Sequence, residues 1–144
     1  MSASNYLENK ILDHVLRYGD GSLTPGTGAG YEPPATLYLA LFTSNTGLES
    51  GTLTNEVSAT GTNYARRPIS FNAASNGTAQ SNGAISFATA TADYGDPVTS
   101  IAIMDDSTYG AGNMLFYGDL TTPKVVNSGD TFQVADLAIQ VSLD

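Results

Sequence analysis

Thr36-Leu37-Tyr38-Leu39-Ala40-Leu41-Phe42-Thr43 is the stretch that decides the fold. Leu37, Leu39 and Leu41 alternate with Tyr38, Ala40 and Phe42, so the period is two and the run reads as a strand buried on at least one face. The same reading extends outward. Tyr64–Phe71 is a second strand, limited by Pro68 to an edge or a bulge, because proline has no N–H for a ladder. Ile85 and Phe87 mark a third, Val98–Met104 a fourth with Ile101 and Ile103 inward, and Met114–Leu120 a fifth. Val125-Val126 makes a short sixth and Thr131–Val134 a seventh. In the last strand Leu137, Ile139, Val141 and Leu143 alternate with Ala138, Gln140 and Ser142. Asn45 to Asn63 reads as a long polar loop with a short strand near Val57. Turn clusters separate the runs: Asn76-Gly77, Asn82-Gly83, Gly95-Asp96-Pro97, Tyr109–Asn113 and Asn127–Asp130. The sequence therefore predicts a mainly β protein, an antiparallel β-sandwich of jelly-roll-like type.

One helix precedes the strands. Leu7, Ile11 and Val15 recur four residues apart, Leu12 and Leu16 widen the stripe, Asn5 is placed to cap it with Glu8 three residues on, and Tyr18-Gly19 ends it. His14 falls on its surface. Gly19–Pro34 holds five Gly and three Pro and reads as a connection. The expected organisation is a helix or arm over 1–18, a Gly/Pro-rich loop over 19–35 and a sandwich over 36–144, in one domain.

Composition removes most chemistries. The 144 residues carry 14 acidic and 5 basic side chains and one His, for a formal charge of −9, with no Cys. Charged residues are only 13% of the chain, about half the usual share. The surface is accordingly hydroxyl, amide and backbone, with 31 Ser and Thr. Five basic residues cannot build a phosphate-binding stripe, so nucleic acid is not an expected partner. Without Cys there is no disulfide, thiolate metal site or thiol nucleophile. No run of about 18 apolar residues exists to span a membrane, and the first residues lack the basic leader and apolar stretch of a secretory signal.

The candidates for chemistry read as structure. Asp105-Asp106 follows a strand whose neighbours point to opposite faces, so the pair reads as turn formers and not as a shared-proton dyad. Asp93 and Asp96 lack the spacing of a calcium loop. Gly26-Thr27-Gly28-Ala29-Gly30 has no strand before it and no lysine near it, which argues against a phosphate loop. No catalytic, cofactor-binding or metal-ligating residue is expected. Partner contact is the remaining role. Tyr6, Leu7 and Ile11 serve it if the helix docks on a neighbouring subunit and not on its own domain. Arg66 and Arg67 pair with acids inside the domain or across a subunit contact. Tyr31, Tyr94 and Tyr109 lie in loops, within reach of a ligand or partner.

Several blocks together resemble a family of small tailed-bacteriophage virion structural proteins, described as capsid decoration or tail-fibre-like proteins. They are Ser4–Leu16, Pro33–Thr43, Tyr64–Phe71, Asn82–Phe87 and Leu115–Phe132. The Gly19–Glu32 segment is longer than the family's usual passage from helix to first strand. The resemblance implies a non-enzymatic component of the virion exterior, made in the bacterial cytoplasm. Its implied partners are copies of itself, with a trimer favoured, and the major capsid protein or other virion proteins. A compact chain without a repeated shaft favours a capsid decoration, or cement, protein that braces the head. A tail-fibre, tail-tip or receptor-binding protein is the alternative, and a carbohydrate-binding module resting on the loop tyrosines is the remote one.

Overall fold

The computed structural model describes residues 1–8, 11 and 34–142. The predicted continuation of the helix to Leu16, His14, and the Gly19–Pro34 connection as far as residue 33 lie outside these residues. Nine strands are present among those described: β1 (Ser2–Ala3), β2 (Leu37–Phe42), β3 (Arg67–Ile69), β4 (Thr78–Gln80), β5 (Ile85–Ser86), β6 (Val98–Met104), β7 (Met114–Lys124), β8 (Gln133–Val134) and β9 (Gln140–Ser142). Every pairing between them is antiparallel. The protein is thus mainly β, as expected, and residues 5–8 and 11 of the expected N-terminal helix are helical.

Five strands form the main sheet, in the order β1-β7-β6-β2-β3. β2 lies inside it, paired with β6 from Tyr38↔Met104 to Phe42↔Ser100 and with β3 through Leu37↔Ile69 and Leu39↔Arg67. Both faces of β2 are apolar, and both are covered. Leu39 and Leu41 pack with Ile101, Phe132 and Ile139 on one side. Ala40 and Phe42 pack with Leu48, Met104 and Met114 on the other. The short ribbon β5–β8 contributes Ile85 and Val134 to the first side, and Ile139, just before β9 of the second ribbon β4–β9, joins them, a layering consistent with a sandwich. Leu48 and Leu53, from the segment between β2 and β3, help close the second.

Several local expectations change. Pro68 does sit at the sheet edge, but the predicted Tyr64–Phe71 strand forms a ladder only over β3, with one further bridge at Phe71↔Ser81. Near Val57 there is a single bridge, Phe42↔Glu56, and no strand. Val125-Val126 is not a separate strand; Val125 is exposed and Val126 enters the core just beyond β7. Two strands went unforeseen. β4 follows a turn in which Asn76 and Gly77 both take positive φ, 51° and 73°, the geometry that two-residue hairpins require. β1 pairs with β7 through Ser2↔Tyr117 and Ala3↔Phe116, so the first residues are an edge strand of the main sheet.

The helix cap also moves by one residue. Ser4, and not Asn5, is the cap: its hydroxyl accepts the Leu7 N–H at 3.4 Å and donates to the Met114 carbonyl. Residues 5–8 and 11 are helical. Ser4 is fully buried, and Leu7 is buried with it. The buried hydroxyl thereby has both a donor and an acceptor, as a buried polar group requires.

Candidate functional site

The densest polar arrangement lies beneath the 105–113 loop. Arg66 precedes the edge strand β3, and Glu56 bridges to the end of β2. Their side chains are completely buried and form a two-pronged pair, Arg66 Nε to Glu56 Oε1 at 2.8 Å and Nη2 to Oε2 at 2.8 Å. Arg66 Nη1 donates to the carbonyls of Asp106 and Ala111, each at 2.8 Å. Glu56 Oε2 accepts the Gly110 N–H at 3.2 Å, and Glu56 Oε1 accepts the Tyr64 hydroxyl at 3.0 Å. Tyr64 Oη in turn accepts the Leu41 N–H at 3.0 Å. Each charge is met by the other and by neutral partners, as a buried pair demands.

The network fixes the loop from below, and the loop's own acids fix it from above. Asp105 accepts the Asn113 N–H at 2.6 Å and its Nδ2 at 2.8 Å. Asp106 accepts the Thr108 N–H at 2.7 Å, and hydrogen bonds from Thr108 hold its carboxyl below the usual range. The pair is a turn device, as the sequence indicated. Gly112 has φ of 78°, and a Cβ there would lie 2.5 Å from Asp106 Cβ, so the loop closes tightly only with glycine. At the tip Tyr109 is 46% exposed. What the arrangement does is hold the backbone of the loop that exposes Tyr109.

Tyr64 gives the network an alkaline limit. Burial raises its pKa first, and the neighbouring Glu56 carboxylate raises it further. The folded protein therefore keeps the phenol protonated at pH values where the unfolded chain releases it. Stability from this group is complete below the unfolded pKa of about 10 and is lost as pH rises above it. The urea midpoint is expected to be flat from neutrality to about pH 9 and to fall above about pH 10. Tyr64→Phe is expected to blunt that fall while costing about 1–3 kcal/mol at neutral pH, because the Leu41 N–H loses its acceptor. An alkaline limb as steep in the variant as in the wild type would refute the assignment.

The sequence-named contact residues separate by burial. Tyr6 is 37% exposed, Ile11 is half-buried, and Arg67 is exposed on the edge strand. Leu7, Arg66 and Tyr94 are buried within the chain and are not offered to a partner. Leu7 is on the buried side of the helix, and Arg66 is consumed by Glu56. Tyr94 sits in the core edge-on to Tyr64, its hydroxyl without a hydrogen-bond partner among the described residues. Tyr31 lies outside the described residues. Of these residues Arg66 is the one the structure ties to the Tyr109 loop, through the Asp106 and Ala111 carbonyls. The residue that sequence reading missed is Glu56; its only signal was a basic doublet in an acidic chain that required a partner acid. Among the described residues no three His, Cys, Asp or Glu side chains stand together as a metal would require.

An antiparallel domain that spends its buried charges on presenting a loop has the character of a structural component, in keeping with the virion class that its sequence resembles. A family model described as podophage GP4 fiber I protein gp80 matches residues 2–142. The chain belongs to that family and is a phage virion structural protein. No curated protein matches it.

Proposed function

We propose that this chain is a non-enzymatic, fibre-associated subunit on the exterior of a podophage-type particle, assembled with copies of itself and with other virion proteins. The observation that carries this reading is the match of a fibre-protein family over residues 2–142. The fold is compatible with it: the polar interior anchors a loop, and Arg67 and Tyr109 of the contact set are exposed. Head decoration is the competing reading.

Copy number and position decide between the two. Quantitative mass spectrometry of purified particles is expected to give a few tens of copies or fewer, roughly an order of magnitude below the main shell protein, as a closed symmetric tail assembly would require. Labelled particles are expected to show the protein at the tail. Hundreds of copies spread over the head, lost together with the mechanical stability of the shell, would overturn the fibre reading in favour of cement.

A further inference from the structure

Ser75-Asn76-Gly77 and Ser81-Asn82-Gly83 are the same tripeptide. Both asparagines and both glycines are exposed. An asparagine before glycine is open to spontaneous deamidation, because glycine carries no side chain to crowd its own backbone nitrogen. That nitrogen, its proton lost to hydroxide, attacks the side-chain Cγ. A C–N bond forms, and the carboxamide nitrogen leaves as ammonia with a proton from water. Water then opens the cyclic imide at one of its two carbonyls. The product is an ordinary aspartate or an isoaspartyl link that runs the main chain through the side chain. The balance is amide plus water to carboxylate plus ammonium, with no other reactant. Identical tripeptides react alike in an open chain, so a difference between the two sites comes from the fold.

Ring closure requires rotation about the asparagine Cα–C bond. That rotation swings the planar Asn–Gly peptide unit as a whole, its carbonyl and its N–H together. At 82–83 the unit is tied at both ends. The Asn82 carbonyl accepts the Ser70 hydroxyl at 3.2 Å, and the Gly83 N–H donates to Asp136 Oδ1 at 2.8 Å. The Asn82 N–H is also held, on the Ser70 carbonyl at 2.9 Å. The Asp136 carboxylate has a second effect: it opposes loss of the Gly83 proton, which would set two negative charges side by side.

At 76–77 the unit is tied at neither end. The turn is closed one residue further out on each side. The Ser75 N–H donates to the Thr78 carbonyl at 2.9 Å, and the Thr78 N–H donates to the Ser75 carbonyl at 3.1 Å. These bonds bypass the Asn76 carbonyl and the Gly77 N–H, and among the described residues neither group has another hydrogen-bond partner.

We propose that Asn76 is a site of spontaneous deamidation in the folded protein, and that Asn82 is protected by Ser70 and Asp136. The inference is independent of the choice between fibre and head. Its consequence is local. An isoaspartyl link lengthens the main chain of a two-residue turn and opens the Ser75↔Thr78 bridge in front of β4. Either product adds a negative charge to a chain of formal charge −9.

The test holds the purified protein at mildly alkaline pH, below the range in which Tyr64 ionises. Proteolytic digests are read over time by mass spectrometry for amide-to-acid exchange at each asparagine. The same protein in concentrated urea supplies the open-chain rate of each site, by which its folded rate is divided. The relative rate at Asn76 is expected to exceed that at Asn82 by about tenfold or more. That is the factor for breaking two hydrogen bonds, one of them to a carboxylate, before the ring can close. Equal relative rates, a faster Asn82, or no folded-state conversion at Asn76 overturns the proposal. Asp136→Ala frees the Gly83 N–H and is expected to raise the Asn82 rate severalfold, with Asn76 as the unchanged reference in the same molecule. An Asn82 rate left at the wild-type value overturns the protection assigned to Asp136. If both sites accelerate together, the variant has loosened the domain, and Ser70→Ala, which removes only a hydroxyl, decides on the same criterion.

Discussion

Arg66→Met is expected to cost about 3–5 kcal/mol, because it leaves the Glu56 carboxylate buried without its counter-charge. For a domain of this size that lowers Tm by roughly 10–15 °C. Methionine keeps much of the length, so the effect reports lost charge more than lost volume. Two carbonyls, of Asp106 and Ala111, lose their donor at the same time. Their loss predicts a local signature beside the global one: amide hydrogen exchange in the 105–113 loop is expected to rise by more than the fall in global stability explains. The double variant Glu56→Leu with Arg66→Met separates stability from loop specification. Apolar replacement of a buried pair recovers much of the stability, yet the loop, without its anchors, is expected to stay open to exchange. Chemical denaturation of the three proteins measures the first effect and exchange the second. A loss below about 1 kcal/mol in the single variant, the range of an exposed pair, would show that the network carries no such weight.

That network also marks where sequence reading stops. The alternation rule placed Arg66 and Arg67 on opposite sides, and one is indeed buried and the other exposed. It could not name Glu56, which lies ten positions earlier in a stretch without periodicity. β2 and β6 were legible because they are long and flanked on both sides, so tertiary packing reinforces their local pattern. β1 and β4 were not, because two or three residues carry no period and their partners, β7 and β9, lie far along the chain.

The last strand shows the opposite failure, a period that was too persuasive. Leu137, Ile139 and Val141 alternate, yet only Ile139 and Val141 are buried. The Asp136 clip to the Gly83 N–H turns the chain over before β9 begins, and Leu137 faces out. Tyr94 failed through its surroundings: turn residues flank it, but the aromatic core captures its ring. The acids were read more safely. Asp93, Asp105, Asp106, Asp130 and Asp136 each accept a backbone N–H, so the net charge is in good part the by-product of turn construction.

Phe42→Ala tests the central claim about the sheet, that both of its faces are closed. A one-sided sheet would leave Phe42 facing solvent or a loose loop, since Leu41 beside it already fills the opposite core. Instead Phe42 is fully buried, with Leu48, Met104 and Met114 in the same cluster. Its truncation is expected to cost about 3–5 kcal/mol, the combined loss of buried area and of the cavity left behind. Leu41→Ala, on the face that packs with Ile85, Phe132 and Ile139, is expected to cost about 2–5 kcal/mol. Comparable losses, with unchanged denaturant dependence, mean that two cores share one sheet and melt together. A loss below about 1 kcal/mol for Phe42→Ala beside a full loss for Leu41→Ala would mean that the second core yields without cost. In that case the Leu48 segment would not be part of the cooperative fold. The placement of Glu56 favours the first outcome. It follows that segment, bridges to Phe42, and is held by Arg66, so opening the second core would also expose the buried ion pair.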